Sequence, residues 1–411
     1  MELSKRMRVL EVNNTDIIGR IFNGYDLHLG LIERNVDAKQ VVLDKQSEVS
    51  TVLQLNVDEI IRQEISYVEK QLAVSNILFP YAEHLMKLRE FKTADIVHYH
   101  FPYHQMFSIL DYPKLMKENC VWTIHDPWIL TGNCVHPLEC EKWKDECKEC
   151  HNLDDDYFPM LKDNVNFMWN VKKKVLKEIN PHIIVASKWM KKQIELSPLT
   201  CHFTKIHIIP FGICTGDESK ESWINRGDKV TIGFRSETGY VKGCSLLYDA
   251  LRILKDKSHY KLEAVGNGDV PQDICQMYEV AEHGFVGERE KLMKILDSCD
   301  IFVMPSLAES FGLMAIEAMA CKCVVICFQG TAVEENINAP ECGLAVAYKS
   351  AEELAKAIET LHMSRENLLE RQEKGYHYVK DRYSFEQYVD RHKRLFEDIV
   401  RENKINKIAV I

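Results

Sequence analysis

Short apolar runs that end in polar residues recur along the chain, each followed by a stretch with helical periodicity. "MRVLEVNN" opens the series, and "AKQVVLD", "TADIVHYH", "CVWTIHD", "PHIIVAS" and "KIHIIPFG" continue it. Runs of this kind predict strands buried on both faces, and their alternation with helices such as "YDLHLGLIER" predicts a parallel, doubly wound sheet. A second series starts at "KVTIGFRSE" and runs through "HYKLEAVGNGD", "EHGFVGERE", "CDIFVMPS" and "CKCVVICFQG", separated by helices such as "GCSLLYDALRIL". Between the two, the polar stretch "IIPFGICTGDESKES" predicts the domain link. The expected fold is therefore α/β, with two Rossmann-like sheets facing a cleft and ligands beyond the carboxyl ends of the strands. Near the end of the chain, Phe385, Tyr388, Val389, Leu395, Phe396 and Ile399 fall near helical spacing and predict one long amphipathic helix.

Composition narrows the function classes. A chain of 411 residues suits two domains, and its net charge of −10 argues against nucleic-acid binding, which uses a clustered positive field. No run reaches the ~18–20 apolar residues that a bilayer span needs, and no charged-then-apolar leader opens the sequence, so the expectation is a cytosolic protein. Most of the 14 cysteines are scattered. The exception is "TGNCVHPLECEKWKDECKEC", which holds Cys134, Cys140, Cys147 and Cys150. In a reducing compartment four thiols in one loop point to a structural zinc, with free thiols or disulfides as the alternatives. The lysine-rich stretches "WNVKKKVLKEI" and "SKWMKKQI" form either a basic face suited to anionic lipid or a plain solvated one.

The chemistry concentrates in "PSLAESFGLMAIEAMACKCVVI", where Glu309 and Glu317 stand eight positions apart around Phe311-Gly312-Leu313. Ser310 is placed to cap a helix from about Phe311 to Ala320, whose first amides would offer donors and partial positive charge to a phosphate. A carboxylate on either side suits the vicinal hydroxyls of a sugar and a ribose. A phosphate between two diols describes a nucleotide sugar. The plainer alternative is one solvated loop glutamate and one exposed helix glutamate. Arg235 and Lys242 in "FRSETGYVKG" add cations for a diphosphate, and Gly266 in "AVGNGD" permits close backbone approach to a ligand. "HGFVGERE" carries a strand-turn signal suited to a nucleobase. "LDDDYF" reads as a solvated acidic turn, and a metal cluster in "VHYHFPYH" is the lesser reading of its histidines.

In order along the chain, "FRSETGYVKG", "GNGD" and "ESFGLMAIE" resemble the signature of the retaining glycosyltransferases of family 4: Arg…Lys-Gly, Gly-x-Gly, then Glu-x7-Glu with Phe-Gly-Leu. "VASKWMKKQI…IHIIPFGIC" resembles the same family's interdomain passage, with Phe211-Gly212 in place of its Asn-Gly. The resemblance implies the two-domain GT-B fold: an acceptor-side domain at 1–212, its four-cysteine insertion at about 131–152, a nucleotide-sugar domain at 213–384, and a last helix at 385–411 that returns to the first. It implies that Glu309 contacts the donor sugar and Glu317 the ribose. Arg235 and Lys242 would hold the diphosphate of a UDP- or GDP-sugar with the amides around Ser310, Phe311, Gly312 and Leu313, and Gly266 would lie nearby. Gly19 and Arg20 occupy the position of the family's glycine-rich loop, and His125 matches a histidine near the reacting sugar. No catalytic metal is implied. The acceptor would be a saccharide or lipid-linked hydroxyl, with peripheral contact at the inner face of the cell membrane. The cysteine loop resembles that of a subgroup associated with bacterial surface polysaccharides. A GT-B sugar-nucleotide epimerase and a non-catalytic, zinc-dependent interaction protein are the alternatives.

Overall fold

The structure, a computed structural model, describes residues 6–214 and 229–409, with side chains up to residue 405. It divides into two compact units, Met1–Gly212 with Glu386–Ile411, and Ile213–Phe385. The segment "TGDESKES" of the expected link lies at 215–222, outside the described residues.

The first unit is built on a seven-stranded parallel sheet. Its strands are β1 (Arg8–Val12), β2 (Asp37–Val42), β3 (Val52–Gln54), β4 (Ile96–Tyr99), β5 (Cys120–Thr123), β6 (His182–Val185) and β7 (Ile206–Ile208), in the order β3-β2-β1-β4-β5-β6-β7. Four of the central strands are buried at nearly every position, as the apolar runs require. The chain order reverses between β1 and β4, the switch point where open α/β sheets bind ligands. The final helix, Phe385–Ala409, buries Tyr388, Val389, His392, Phe396 and Ile399. It lays the rings of His392 and Phe396 5.7 and 5.4 Å from that of His98.

The second unit carries a six-stranded parallel sheet: β8 (Val230–Arg235), β9 (Tyr260–Val265), β10 (Glu279–Glu282), β11 (Ile301–Met304), β12 (Val324–Phe328) and β13 (Leu344–Val346). The order is β10-β9-β8-β11-β12-β13, so its switch point lies between β8 and β11. Two expectations are corrected here. The strand expected in "EHGFVGERE" ends at Glu282, before most of that motif. The lysine-rich face of the first unit is less basic and less aromatic than its sequence suggests. Lys172 is fully buried, its Nζ donating to the carbonyls of Trp128 and Thr131 at 2.5 and 3.1 Å, and Trp169 lies in the core. Burial, opposed by neighbouring thiols and carboxylates, lowers the Lys172 pKa to about 7.

Among the described residues, no helix is long and apolar enough to cross a membrane.

Candidate active site

In the second unit the chemistry-bearing residues surround the β8–β11 switch point. β8 ends on Arg235, half exposed, whose guanidinium holds Glu237 at 2.7 and 2.8 Å. A short 3-10 turn, Tyr240–Lys242, then delivers Lys242, whose Nζ meets Glu309 Oε1 at 2.7 Å. Glu309 itself stands in the loop after β11, its carbonyl accepting from the Ala332 amide at 3.1 Å. Each cation therefore already carries a carboxylate from its own unit.

Ser310 does not cap the helix that follows. The helix is Leu313–Ala320, and its N-cap is Gly312, with φ of +84° and no side-chain cap bond. A Cβ at Gly312 would come within 2.6 Å of Val333 Cγ2, so the left-handed turn and the tight packing both select glycine and delay the helix by two residues. Phe311 is buried ahead of it, its carbonyl held by Asn336 Nδ2 at 2.7 Å. The first intrahelical bonds run from Ala315 and Ile316 to the Gly312 carbonyl, which leaves the amides of Leu313 and Met314 ahead of the ladder, at the positive end of the helix dipole. One turn on, Glu317 is buried, 3.8 Å from Arg289. Burial, opposed by Arg289, raises its pKa to about 7. Gly266, with φ of +131°, also serves the packing of its own unit. A Cβ there would meet the Ser236 carbonyl oxygen at 2.1 Å, so the glycine lets the turn after β9 press on the chain after β8.

In the first unit, Glu11 of β1 and His98 of β4 are register partners. Glu11 Oε2 lies 2.8 Å from both His98 Nδ1 and His100 Nε2, and His98 Nε2 lies 2.7 Å from Thr123 Oγ1. Their ligand atoms all fall within 4.8 Å of one another, the kind of set that can hold a metal. Of these contacts only His100 Nε2 to Glu11 Oε2 is a hydrogen bond, and His98 Nδ1 and Glu11 Oε1 are buried without a hydrogen-bond partner. Burial holds His98 at a pKa of about 3, and burial together with His98 holds His100 at about 4, against the pull of Glu11. His100 Nδ1 in turn lies 3.3 Å from His125 Nε2. The partly exposed His125 ring stacks on Phe101 and Phe211 at centroid distances of 4.4 and 5.7 Å, and desolvation among these groups depresses its pKa. The loop carrying Gly19 (φ +71°) and Arg20 rests on the same cluster: at Gly24 (φ +80°) a Cβ would lie 2.3 Å from His100 Nε2 and 2.9 Å from Glu11 Oε2. Arg20 is exposed and paired with Asp26, Nε to Oδ1 2.6 Å.

Residues 216–400 match the family of glycosyl transferases group 1. The chain carries a glycosyltransferase group 1 domain. It is 32% identical over 158 residues to the N,N'-diacetylbacillosaminyl-diphospho-undecaprenol alpha-1,3-N-acetylgalactosaminyltransferase of Campylobacter jejuni, a match covering 37% of this chain and 41% of that protein. It is 26% identical over 260 residues to the putative colanic acid biosynthesis glycosyl transferase WcaC of Escherichia coli, covering 58% and 60%. These matches span less than two thirds of either relative's length. In fold it is similar to Anabaena Alr3699/HepE, solved with UDP and glucose, at a TM-score of 0.63 and 14% identity over 96% of this chain and 100% of that one. Both parallel-sheet units thus have the form of GT-B glycosyltransferase domains.

Arg235, Lys242, Glu309, Glu317 and the Phe311–Leu313 turn all lie inside the group 1 domain's matched span. So do two residues that sequence reasoning did not single out, Glu237 and Arg289. The "ERE" after "FVG" is the one signal that could have found Arg289, since it opens the helix Arg289–Asp297. Outside that domain the four cysteines are free thiols. Burial, then Asp155, then Cys147 and Cys150 push Cys134 up to about 12, and Cys147 stands at about 11 from burial with Cys140 and Cys150 adding. The four are thus gathered, yet among the described residues no three of their sulfurs lie within 4.8 Å of one another. In kind and number they fit zinc; their spacing here is not yet that of a closed tetrahedron.

Proposed function

We propose that the protein is a retaining glycosyltransferase that moves a sugar from a UDP- or GDP-sugar to a hydroxyl of a saccharide or lipid-linked acceptor, without a catalytic metal, in bacterial surface glycan synthesis at the inner face of the membrane. The observation that carries this reading is the Lys242–Glu309 pair, 2.7 Å apart at a switch point of the group 1 domain and just ahead of a helix N-terminus. The two relatives named above and the UDP and glucose held by HepE support it.

In this reading Arg235 and Lys242 exchange Glu237 and Glu309 for diphosphate oxygens. They and the amides of Phe311, Gly312 and Leu313 stabilise the charge that builds on the leaving phosphate as the glycosidic bond breaks with oxocarbenium character. Glu309, released, accepts hydroxyls of the sugar. Glu317 accepts those of the ribose, where burial beside Arg289 keeps the carboxyl dry and orients it. Neither carboxylate exchanges a proton, which separates this chemistry from glycosidase catalysis. For His125, kept neutral by desolvation and stacked on Phe101 and Phe211, the role proposed is contact with the reacting sugar, and Gly19 and Arg20 lie in a loop on the same cluster. A melting-point screen across nucleotide sugars tests the reading: a ligand at 100 times its Kd adds about 2.7 kcal/mol of stability. A rise with at least one UDP- or GDP-sugar is expected, and no rise, with no calorimetric heat on titrating UDP or GDP, removes it.

The reading extends to the four-cysteine loop, where a structural zinc would be held by Cys134, Cys140, Cys147 and Cys150 and would order residues 131–152. Protein expressed with zinc in the medium and purified without chelators is expected to carry about one equivalent. A few tenths or less would leave the loop to its own hydrogen bonds, such as Asp163 Oδ2 on the Cys150 amide at 2.8 Å.

A further inference from the structure

We infer that the first unit carries a structural site for a divalent transition-metal ion such as zinc, held by Glu11, His98 and His100 at the switch point between β1 and β4. Two neighbouring parallel strands build it. Side chains alternate between the faces of a strand, so residues two apart share a face. His98 and His100 are such a pair, the ladder continuing past β4 through the His100 amide on the Val12 carbonyl at 3.1 Å. Glu11, the register partner of His98, lies beside them on β1. The final helix covers the cluster with His392 and Phe396, and none of the three side chains is more than 1% exposed.

Two observations set this group apart from satisfied core residues. A buried carboxylate needs a paired cation or a metal, and among the described residues no lysine or arginine pairs with Glu11. Its one hydrogen bond comes from His100 Nε2 at 2.8 Å. His98 Nδ1 is equally close to Glu11 Oε2 but outside hydrogen-bond geometry. That nitrogen and the second carboxylate oxygen, Oε1, are thus both buried without partners. Such orphans are costly and call for an explanation, of which a bound ion is one. A bare divalent ion is smaller than a water molecule and needs no water-sized opening between its ligands. Donors 2.8 Å apart can both reach an ion at about 2.0–2.2 Å, the length of zinc bonds to imidazole nitrogen and carboxylate oxygen. With Glu11 bidentate, Oε1 and His98 Nδ1 both gain a partner and the set offers four donors. Two imidazoles suit zinc and its transition-metal neighbours better than magnesium or calcium, which take oxygen ligands.

The outer contacts are those of ligating histidines, which donate their other ring N–H to a fixed acceptor. His98, ligating through Nδ1, has Thr123 Oγ1 2.7 Å from its Nε2. His100, ligating through Nε2, has His125 Nε2 3.3 Å from its Nδ1. The ion therefore sets the tautomer of His125. With metal bound, His100 Nδ1–H donates, His125 Nε2 accepts, and the His125 hydrogen sits on Nδ1. Without metal, His100 keeps its hydrogen on Nε2 for Glu11, its Nδ1 accepts, and the His125 hydrogen sits on Nε2. The ion is structural and takes no part in the proposed transfer. Its presence does not rest on the transferase reading; only its bearing on the sugar, through His125, does.

The test uses the full chain expressed with zinc in the medium. Wild type is expected to hold one zinc beyond the equivalent assigned to the four-cysteine loop, and its X-ray absorption to include imidazole. A chain with Cys134→Ser and Cys147→Ser together, which disables that loop, is expected to keep about one zinc. Its metal then shows nitrogen and oxygen at about 2.0–2.2 Å and no sulfur at about 2.3 Å. Chelator is expected to take this ion from the urea-unfolded chain but not from the folded one, since the site is enclosed. Two-bond nitrogen–proton NMR is expected to find the His125 hydrogen on Nδ1. A wild-type metal shell without imidazole overturns the site, as does a folded cysteine variant with a few tenths of an equivalent or less. So does an ion stripped from the folded chain, which is adventitious, a His125 hydrogen on Nε2, or a folded His98→Ala chain that keeps its zinc. Titrating UDP or GDP into the same samples judges the transferase reading separately: nucleotide binding without this zinc strikes only the metal site, and this zinc without nucleotide binding strikes only the transferase.

Discussion

Replacing Glu309 by alanine lowers sugar transfer by about 100- to 1,000-fold, the range for losing one preorganised polar contact in the transition state, and leaves UDP or GDP binding within a few-fold of wild type. The split between the two readouts follows from the ion pair. Glu309 holds Lys242 at 2.7 Å, and the pair is only partly exposed, 31% for the lysine and 15% for the glutamate side chain. Taking the carboxylate away frees Lys242 for phosphate and removes a negative charge from beside it, so nucleotide affinity does not suffer. What disappears is the acceptor for the sugar's hydroxyls, whose alignment matters most as the anomeric centre becomes cationic. Glu309→Gln keeps one acceptor oxygen and should fall between the two. Near-normal turnover in the alanine variant, with the melting point preserved, would take Glu309 out of the site. A loss of nucleotide binding equal to the loss of turnover would make it a scaffold for Lys242 alone.

Acidification from pH 7 to 5 destabilises the first unit by several kcal/mol. His98, His100 and His392 are at most 1% exposed; burial alone holds His98 at a pKa of about 3, and burial reinforced by His98 holds His100 and His392 at about 4 and 3. The unfolded value is about 6.5. Between those limits only the unfolded chain binds the protons, so stability rises with pH and is lost as pH falls below about 6.5. At pH 5 each imidazole contributes a loss on the order of 2 kcal/mol. Glu11 works in the other direction. Burial raises its pKa against the lowering by His100, so the folded chain takes that proton first and recovers part of the loss. Trp122, Trp128 and Trp169, all buried in this unit, report its unfolding in urea. A midpoint unchanged between pH 7 and 5 would mean that the imidazoles are not held neutral. His392→Gln should flatten the dependence.

The alternation of apolar runs and helices was enough to place ten of the strands and both sheets, because a parallel strand buried on two faces must be apolar throughout. Three of the four edge strands, β3, β10 and β13, escaped that test, since three or four partly buried residues carry little pattern unless the apolar run continues past them, as it does after β7 in Ile209. The glutamates, cations and glycines of the group 1 domain were legible as a spaced motif, for a helix N-terminus and a strand end are local structures. Sequence alone misplaced the helix start, because Ser310 is a better cap by residue type than Gly312, and only the packing of Val333 against Gly312 decides between them.

What the sequence determined by itself is whatever rests on near neighbours: two α/β units, the order of strands and helices, and the cations and carboxylates at the end of β8 and after β11. What the tertiary structure decided are the pairings between distant segments: Glu11 with His98 and His100, Lys172 under Trp128, Arg289 beside Glu317, and Arg62 on Asp44. These could not be read from pattern because burial of a charge or an imidazole is favourable only when a partner from elsewhere in the chain arrives with it, and no local period records where that partner will be.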